Sequence, residues 1–333
     1  MHKTPRLSIG LPVYNGAQYL REQLRCLQSQ TMGDFEIVIS DNASTDDTER
    51  VCREHAAGDT RIRYFRNERN LGANPNFNSV FSLSRAPLFK WAPHDDLFEP
   101  TYLQTCIGLL DANSDAVLAH SDCLCIDDSG VPFPELPTSP GTCIDPRSGM
   151  ISKLDPLGLA DNDWSVRRFW DVLFRMQCCT SIFGVIRRDA LARTGLMRNF
   201  YGTDKLLLAE LALLGRFKQS PERLYLQRFH NNMSWTLNKE ERKTWSNSND
   251  GRYALRLRQL TAFSAAPFGK ALPATDAACA MLIVSLLGPR AVLKALRGHE
   301  RRRQAKVAAW RWPDKQLASL TPRKTRDDDL TMA

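Results

Sequence analysis

The sequence predicts an α/β fold organised on a mainly parallel sheet, and two observations carry the prediction. Four short apolar runs alternate with stretches of helical periodicity between Leu7 and Leu97, a pattern that calls for parallel strands joined by crossover helices. The loops closing those runs hold Tyr14, Asp41 and the pair Asp95-Asp96. In open sheets of this kind, ligands bind beyond the carboxyl ends of the strands.

The first strand is Leu7 to Val13, ended by the turn Tyr14-Asn15-Gly16. Ala17, Leu20, Leu24 and Leu27 then fall at helical spacing, with Asn15 placed to cap the first turn. Phe35 to Ser40 is the second strand, and the polar loop Asp41 to Thr48 puts Ser44 and Asp47 at capping-box spacing before a helix through Val51 and Cys52. Arg61 to Phe65 gives a third strand, followed by an Asn- and Gly-containing loop from Asn67 to Asn78 and a short helix with Val80, Phe81 and Leu83.

The stretch Phe89-Lys90-Trp91-Ala92-Pro93-His94-Asp95-Asp96-Leu97 runs from an apolar strand into two adjacent carboxylates and then a helix start. Paired acids at a strand end suit a hard divalent cation held against a diphosphate. They serve equally as favourable charges at a helix N-terminus. Pro100 sits in the first turn of the next helix, whose Leu103, Cys106, Ile107 and Leu110 form one stripe. Ala116 to Ile126 reads as strand, 131–163 as a long loop or lid beside the site, and Ser181 to Ile186 as strand again. Arg187-Arg188-Asp189 turns into a helix, and Leu206 to Leu214 is an apolar helix ended by Gly215. Leu224 to Phe229 is a last strand with His230 at its end. Beyond residue 240 the chain becomes Ala-, Leu- and Arg-rich helices, of which Ala274–Leu287 is the most apolar and too short to span a bilayer.

With 333 residues, 43% of them apolar, the chain has material for one large or two ordinary domains. It has neither an N-terminal apolar run nor an uninterrupted membrane-length segment, so a cytoplasmic location is expected. The nine cysteines lack metal-ligand spacing, which points to reduced, mostly buried thiols and to neither disulfides nor a zinc site. The net charge of +8 is local: 240–312 hold fourteen Lys or Arg against five Asp or Glu, whereas 1–239 hold 27 basic and 28 acidic side chains. A near-neutral front part with acidic loops argues against nucleic acid, and the basic segment, with Arg301-Arg302-Arg303, suits an anionic membrane surface or simply a solvated face.

Taken together, Pro12-Val13-Tyr14-Asn15-Gly16, Gln30-Thr31, Phe35 to Asp46, Asn70-Leu71-Gly72 and His94-Asp95-Asp96 resemble family 2 glycosyltransferases in order and spacing. Thr203-Asp204 before an apolar helix, then Arg228-Phe229-His230, resembles the family's second half. The resemblance covers about residues 5–236. It implies a GT-A fold, a Rossmann-like mainly parallel sheet flanked by helices, with a nucleotide-sugar half (1–130) and an acceptor half (131–239); the basic helical extension (240–333) lies outside it.

The resemblance further implies that nucleotide lies against Pro12, Tyr14, Asn15, Asp41 and Asn76, that Asp95 meets ribose or phosphate, and that Asp96 ligates Mg2+ or Mn2+ with His230 as a second candidate ligand. Asp204 matches the general base of an inverting transfer, although an acid in a first helical turn is also favoured by the dipole alone. Arg228 either adds charge for phosphate or faces the other way along its strand. The processive enzymes' Gln-x-x-Arg-Trp segment is absent, since Gln227-Arg228-Phe229-His230 does not fit it, so addition of one sugar is expected. Trp164, Trp170 and Trp235 belong to segments expected to flank the acceptor, where aromatic faces stack on sugars, or else to ordinary packing.

The function expected is transfer of one sugar from a nucleotide diphosphate sugar to a glycan or lipid-linked acceptor in cell-surface polysaccharide or glycolipid synthesis. A sugar nucleotidyltransferase is a competing class, but Pro12 to Gly16 lacks the Lys or Arg of its phosphate loop. A catalytically silent sugar-nucleotide-binding module is the third reading, disfavoured by Asp96 and Asp204.

Overall fold

Leu7, Ile9, Leu11 and Val13 alternate with Ser8, Gly10 and Pro12, so one strand carries a fully apolar face and a slim one. The slim face matters at Gly10, where a Cβ would lie 2.6 Å from Val80 Cγ2; its absence lets a helix settle directly on the strand. The computed structural model describes residues 4–135, 141–145, 151–200, 202–230, 233 and 239–246. Trp235, Ala274–Leu287, Arg301-Arg302-Arg303 and all of the basic segment after 246 lie outside the described residues.

In chain order the elements are β1 (Leu7–Val13), α1 (Ala17–Gln28), β2 (Phe35–Asp41), α2 (Thr48–Gly58), β3 (Ile62–Arg66), α3 (Ala73–Leu83), β4 (Leu88–Trp91), β5 (Leu97–Phe98), α4 (Tyr102–Ala112) and β6 (Ala116–Ile126). Then follow β7 (Thr142–Ile144), β8 (Ile151–Lys153), α5 (Ser165–Trp170), β9 (Val185–Arg187), α6 (Arg188–Ala192), α7 (Thr203–Leu214), β10 (Arg216–Arg228) and α8 (Lys239–Ser246). The main sheet has eight strands in the order β3-β2-β1-β4-β9-β6-β10-β5. Only β9 and β5 run against the others, so the expected mainly parallel α/β sheet is what forms.

Helices cover both faces. On one, Leu20, Leu24 and Leu27 of α1 join the apolar face of β1 and β2, and Leu103, Cys106, Ile107 and Leu110 of α4 continue the same cluster over β6 and β10. On the other, Val80 and Phe81 of α3 pack on Phe89 and Trp91 of β4, and the leucines of α7 belong to the same cluster, against β6 and α5. Each fully buried leucine contributes about 1.5–3 kcal/mol relative to exposure, so the sheet is held from both sides.

Several local readings of the sequence are corrected. Asn15 does not cap α1: it takes a left-handed φ of 49° and Gly16 is the cap residue. The Ser44/Asp47 capping box does not form, because Asp46 accepts from the Thr48 N–H instead and Ser44 is turned to the β1–α1 turn. Asn76 is inside α3 rather than in a loop. The Asp95-Asp96 pair opens the two-residue β5, and α4 begins only at Tyr102, with Pro100 just ahead of it. Thr180–Phe183 is a 3-10 turn leading into the short β9. Residues 131–163 hold the antiparallel pair β7–β8 with buried Cys143 and Ile144, so this stretch is not without structure. The strand before His230 starts much earlier, at Arg216, and absorbs Pro221 through register shifts near Ser220 and Arg223.

Candidate active site

The turns that follow β1 and β2 are bonded to each other. Asn15 N–H donates to Ser44 Oγ (2.9 Å), Gly16 N–H to Thr48 Oγ1 (2.9 Å), Ala17 N–H to Asp46 Oδ2 (3.1 Å), and Thr45 N–H to Asn15 Oδ1 (2.8 Å). The Ser-Thr-Asp run thus serves as donors and acceptors for the neighbouring turn, with Tyr14 left 44% exposed above it. Pro12 is buried inside β1 beside Ser40.

Asp41, at the end of β2, is completely buried. Its Oδ1 accepts from Ser44 N–H, and its Oδ2 accepts from Tyr64 OH (2.8 Å) and Arg66 Nη1 (2.6 Å). Asn76 is equally committed: its Oδ1 accepts from Ser40 Oγ and Asn67 Nδ2, and its Nδ2 donates to the Ser40 carbonyl (2.9 Å). Neither side chain opens onto the crevice, whereas Tyr14 and Asn15 are exposed beside it.

The acidic turn is gripped by the end of β10. Asp96 Oδ2 accepts from Tyr225 OH, and its Oδ1 from the Arg228 N–H (2.8 Å). Asp95 Oδ2 lies 2.9 Å from His230 Nε2, and the His230 ring rests against Tyr19, with centroids 4.9 Å apart. Arg228 does not face the crevice: its guanidinium is buried over the Tyr19 ring and donates to the Asp95 carbonyl, the Asp128 carbonyl and Glu22. Burial, reinforced by the neighbouring Asp95 charge, pushes the Asp96 carboxyl upward. Burial works the same way on Asp95, but His94 and His230 outweigh it and hold that carboxyl low. Two adjacent acids here are therefore set apart in proton affinity.

Gly16 explains the fit of His94. A Cβ on Gly16 would lie 2.6 Å from His94 Cδ2 and 2.6 Å from Val13 Cγ2. The imidazole occupies the space a side chain would need.

Asp204 is the second residue of α7, whose first, Thr203, follows Gly202 with its φ of 84°. Burial raises its carboxyl above the ordinary range, with the Lys205 N–H and charge opposing. Asp155 stands nearby as an unanticipated anchor: its carboxylate accepts from the successive N–H groups of Gln177, Cys178 and Cys179. Burial, with smaller contributions from neighbouring charges that include Asp96 for Cys123 and Asp204 for Cys179, raises both thiols. Trp164 is elsewhere, beside Asp163 at the Arg216 end of β10, and Trp170 packs on Phe174 at 4.4 Å.

Among the described residues no group of three or more His, Cys, Asp or Glu side chains forms a cage for a cation. Asp95 and His230 nevertheless fit one edge of a Mg2+ or Mn2+ shell, whereas both Asp96 oxygens are taken by Tyr225 OH and the Arg228 N–H, so Asp96 would join the shell only if one of those bonds gave way. Such ions take one or two protein carboxylates and complete their shell with phosphate oxygens and water.

Tyr225, Arg66 and Asp155 were not singled out from sequence. For Tyr225 a signal existed: a tyrosine in an apolar strand needs a partner for its hydroxyl when buried.

Fold and site together define the class, nucleotide-sugar-type GT-A proteins. PcManGT, a mannosyltransferase of Pyrobaculum calidifontis solved with GDP-Man and Mn2+, superposes with a TM-score of 0.52 at 16% identity, over 95% of this chain and 79% of that one. Residues 1–349 of S. aureus TarS with UDP-GlcNAc give 0.50 at 14% identity, over 90% of this chain and 92% of that one. At these identities the likeness is one of fold. The family model for Glycosyl transferase family 2 matches residues 8–131. Chondroitin synthase of Escherichia coli is 34% identical over 110 residues, 32% of this chain and 16% of that protein. The chain spans less than half the length of the curated relatives it matches.

Proposed function

We propose that the protein is a metal-dependent inverting glycosyltransferase that moves one sugar from a nucleotide diphosphate sugar to a glycan or lipid-linked acceptor in cell-surface polysaccharide or glycolipid synthesis. The observation that carries the reading is the meeting of Asp95, Asp96 and His230 at the carboxyl end of the sheet, beside the stitched Tyr14 and Ser44 turns.

Tyr14 and Asn15 offer an exposed ledge for the nucleoside, with Pro12 beneath. Asp41 and Asn76 support this ledge from below through the bonds described, and reach the nucleotide only if Arg66 or Asn67 gives way. Asp95 and His230, with Asp96 once it is released from Tyr225 or the Arg228 N–H, would hold a divalent cation, which would neutralise charge on the departing diphosphate. Asp204 accepts the proton of the acceptor hydroxyl as that oxygen bonds to the anomeric carbon. The bond from that carbon to the diphosphate oxygen breaks, and the nucleoside diphosphate leaves with the electron pair. One displacement inverts the centre, and a carboxylate raised by burial is a stronger base for the task.

We place the catalytic body at 1–239 and a basic helical extension at 240–333, with 240–312 meeting an anionic membrane surface from the cytoplasmic side. The start of that extension lies against the body, since α8 contacts α3 and Ser246 is buried. Among the described residues no helix is long and apolar enough to cross a membrane.

The test is nucleotide release from UDP-, GDP- and dTDP-sugars with Mg2+ or Mn2+, comparing wild type with Asp96→Ala and Asp204→Asn. Metal-dependent release lost in both variants supports the reading and names the donor. Failure of every nucleotide sugar to bind with metal present overturns it.

A further inference from the structure

Nine residues, Asn70 to Asn78, contain four asparagines, and their side chains face two ways. In a helix, positions 74 and 78 share a face and 76 is turned to the opposite one. Asn76 is bonded to the ends of β1 and β2, donating to the Ser40 carbonyl and, at 3.4 Å, to the Val13 carbonyl. Just before α3, Asn42 donates to Asn70 Oδ1 (2.8 Å) and the Gly72 carbonyl (3.1 Å), and its Oδ1 accepts from the Leu71 N–H. This side of α3 is fastened to the turns assigned to the nucleotide.

The other face reaches across more than a hundred residues of sequence. Asn78 Nδ2 donates to the Met197 carbonyl (2.8 Å), and Asn78 Oδ1 accepts from the Met197 N–H (3.0 Å). Asn74, buried, donates to the carbonyls of Arg198 (2.9 Å) and Phe200 (3.1 Å). The segment so held leads straight into α7: the Arg198 N–H donates to Thr203 Oγ1 (2.7 Å), the Arg198 guanidinium pairs with Glu210 (2.7 Å), and Asp204 is the next residue after Thr203. The bonds form a continuous path from Asn42 through α3 to the first turn of α7.

We propose that Asn74 and Asn78 are positioning residues for Asp204, fixing the proton acceptor relative to the nucleotide turns through the Met197–Phe200 segment. The proposal rests on the reading of Asp204 as base given above. Neither asparagine touches substrate; each acts by setting where α7 begins. Two amide side chains suit this because each bonds backbone groups directly and tolerates no sliding of the segment along α3. A misplacement near 1 Å at a reacting group costs up to about 100-fold in rate.

The experiment compares Asn78→Ala and, independently, Asn74→Ala with wild type and with Ile107→Val, a core change in α4 that lowers stability without touching this path. Metal-dependent nucleotide release, nucleoside diphosphate binding and the pH dependence of kcat are measured. The expected result is a fall in kcat of about 10- to 100-fold with nucleotide Kd and donor KM within about twofold of wild type. The acid limb of kcat moves to lower pH, because a loosened α7 start hydrates Asp204 and relieves the burial that raises it. Ile107→Val lowers the melting temperature and leaves kcat and the limb in place. Active wild type with unchanged kcat and limb in both asparagine variants overturns this proposal alone. A wild type that binds donor and metal yet releases nothing through Asp204, so that Asp204→Asn is indistinguishable from it, overturns the underlying reading as well.

Discussion

Gly16→Ala tests the packing of the site with a single methyl group. Gly16 has φ −104°, so alanine meets no backbone strain there; the effect is purely steric. The added carbon would fall 2.6 Å from both His94 Cδ2 and Val13 Cγ2, about 1 Å short of ordinary carbon contact on two sides. Val13 is fixed in β1, so the His94 ring must give way. Overpacking of this kind costs about 1–3 kcal/mol, or a fall of roughly 2–10 °C in melting temperature. Displacement of His94 also removes one of the two groups that hold Asp95 low, so metal-dependent nucleotide release weakens. The natural control is Gly108→Ala in α4, where a Cβ meets nothing within 4 Å; it should stabilise by about 0.5–1 kcal/mol. Thermal unfolding of the three proteins in parallel decides the matter. A Gly16→Ala protein that melts with wild type and releases nucleotide at the same metal concentration would refute the packing argument.

Asp204→Asn should lose about 10²–10⁴-fold in kcat while isothermal titration still finds donor binding. In the wild type the acid limb of kcat should lie above the ordinary carboxylate range of about 4, because the base works deprotonated and its raised affinity for the proton silences it at higher pH; a limb at or below that value contradicts the burial described for Asp204. Arg228→Leu strips the partners from the Asp95 and Asp128 carbonyls and from Glu22, and should lower stability by about 3 kcal/mol, read as a reduced urea midpoint; an unchanged midpoint would mean the buried guanidinium holds nothing. Chelation with EDTA should abolish nucleotide release and readdition of Mn2+ or Mg2+ restore it, whereas release that persists in chelator removes the metal from the mechanism.

What the sequence made legible was local. β1 and β2 are apolar runs closed by polar turns, and their calling pattern survives because neighbouring residues decide it. The first half of β10 was invisible for the opposite reason: Arg216, Lys218 and Gln219 are polar, and the strand is stabilised by ion pairs from Arg216 and Lys218 to Asp161. Asparagine-rich 70–78 looked like loop because asparagine competes locally with the helix backbone, yet here the side chains are occupied by distant partners and the helix is left intact. The same distance limit governs the site. Asp95, Asp96 and His230 stood out by type, but the bonds from Tyr225 and the Arg228 N–H to Asp96 join positions 129 and 132 residues apart, and nothing in either neighbourhood encodes the other.

β9 is only three residues long, yet the arginines at its end serve opposite layers. Arg187 donates to the carbonyls of Leu110 and Asn113 at the end of α4 and of Ala116 at the start of β6. Arg188 donates to the carbonyls of Phe81 and Ser84 at the end of α3 and lies 4.7 Å over the Phe81 ring. The strand thereby rivets the helices above the sheet to those below, with each guanidinium favoured by a helix C-terminus. Loss of either layer would strip one of these arginines of its partners, so the two apolar clusters are expected to melt together, as a single transition in calorimetry.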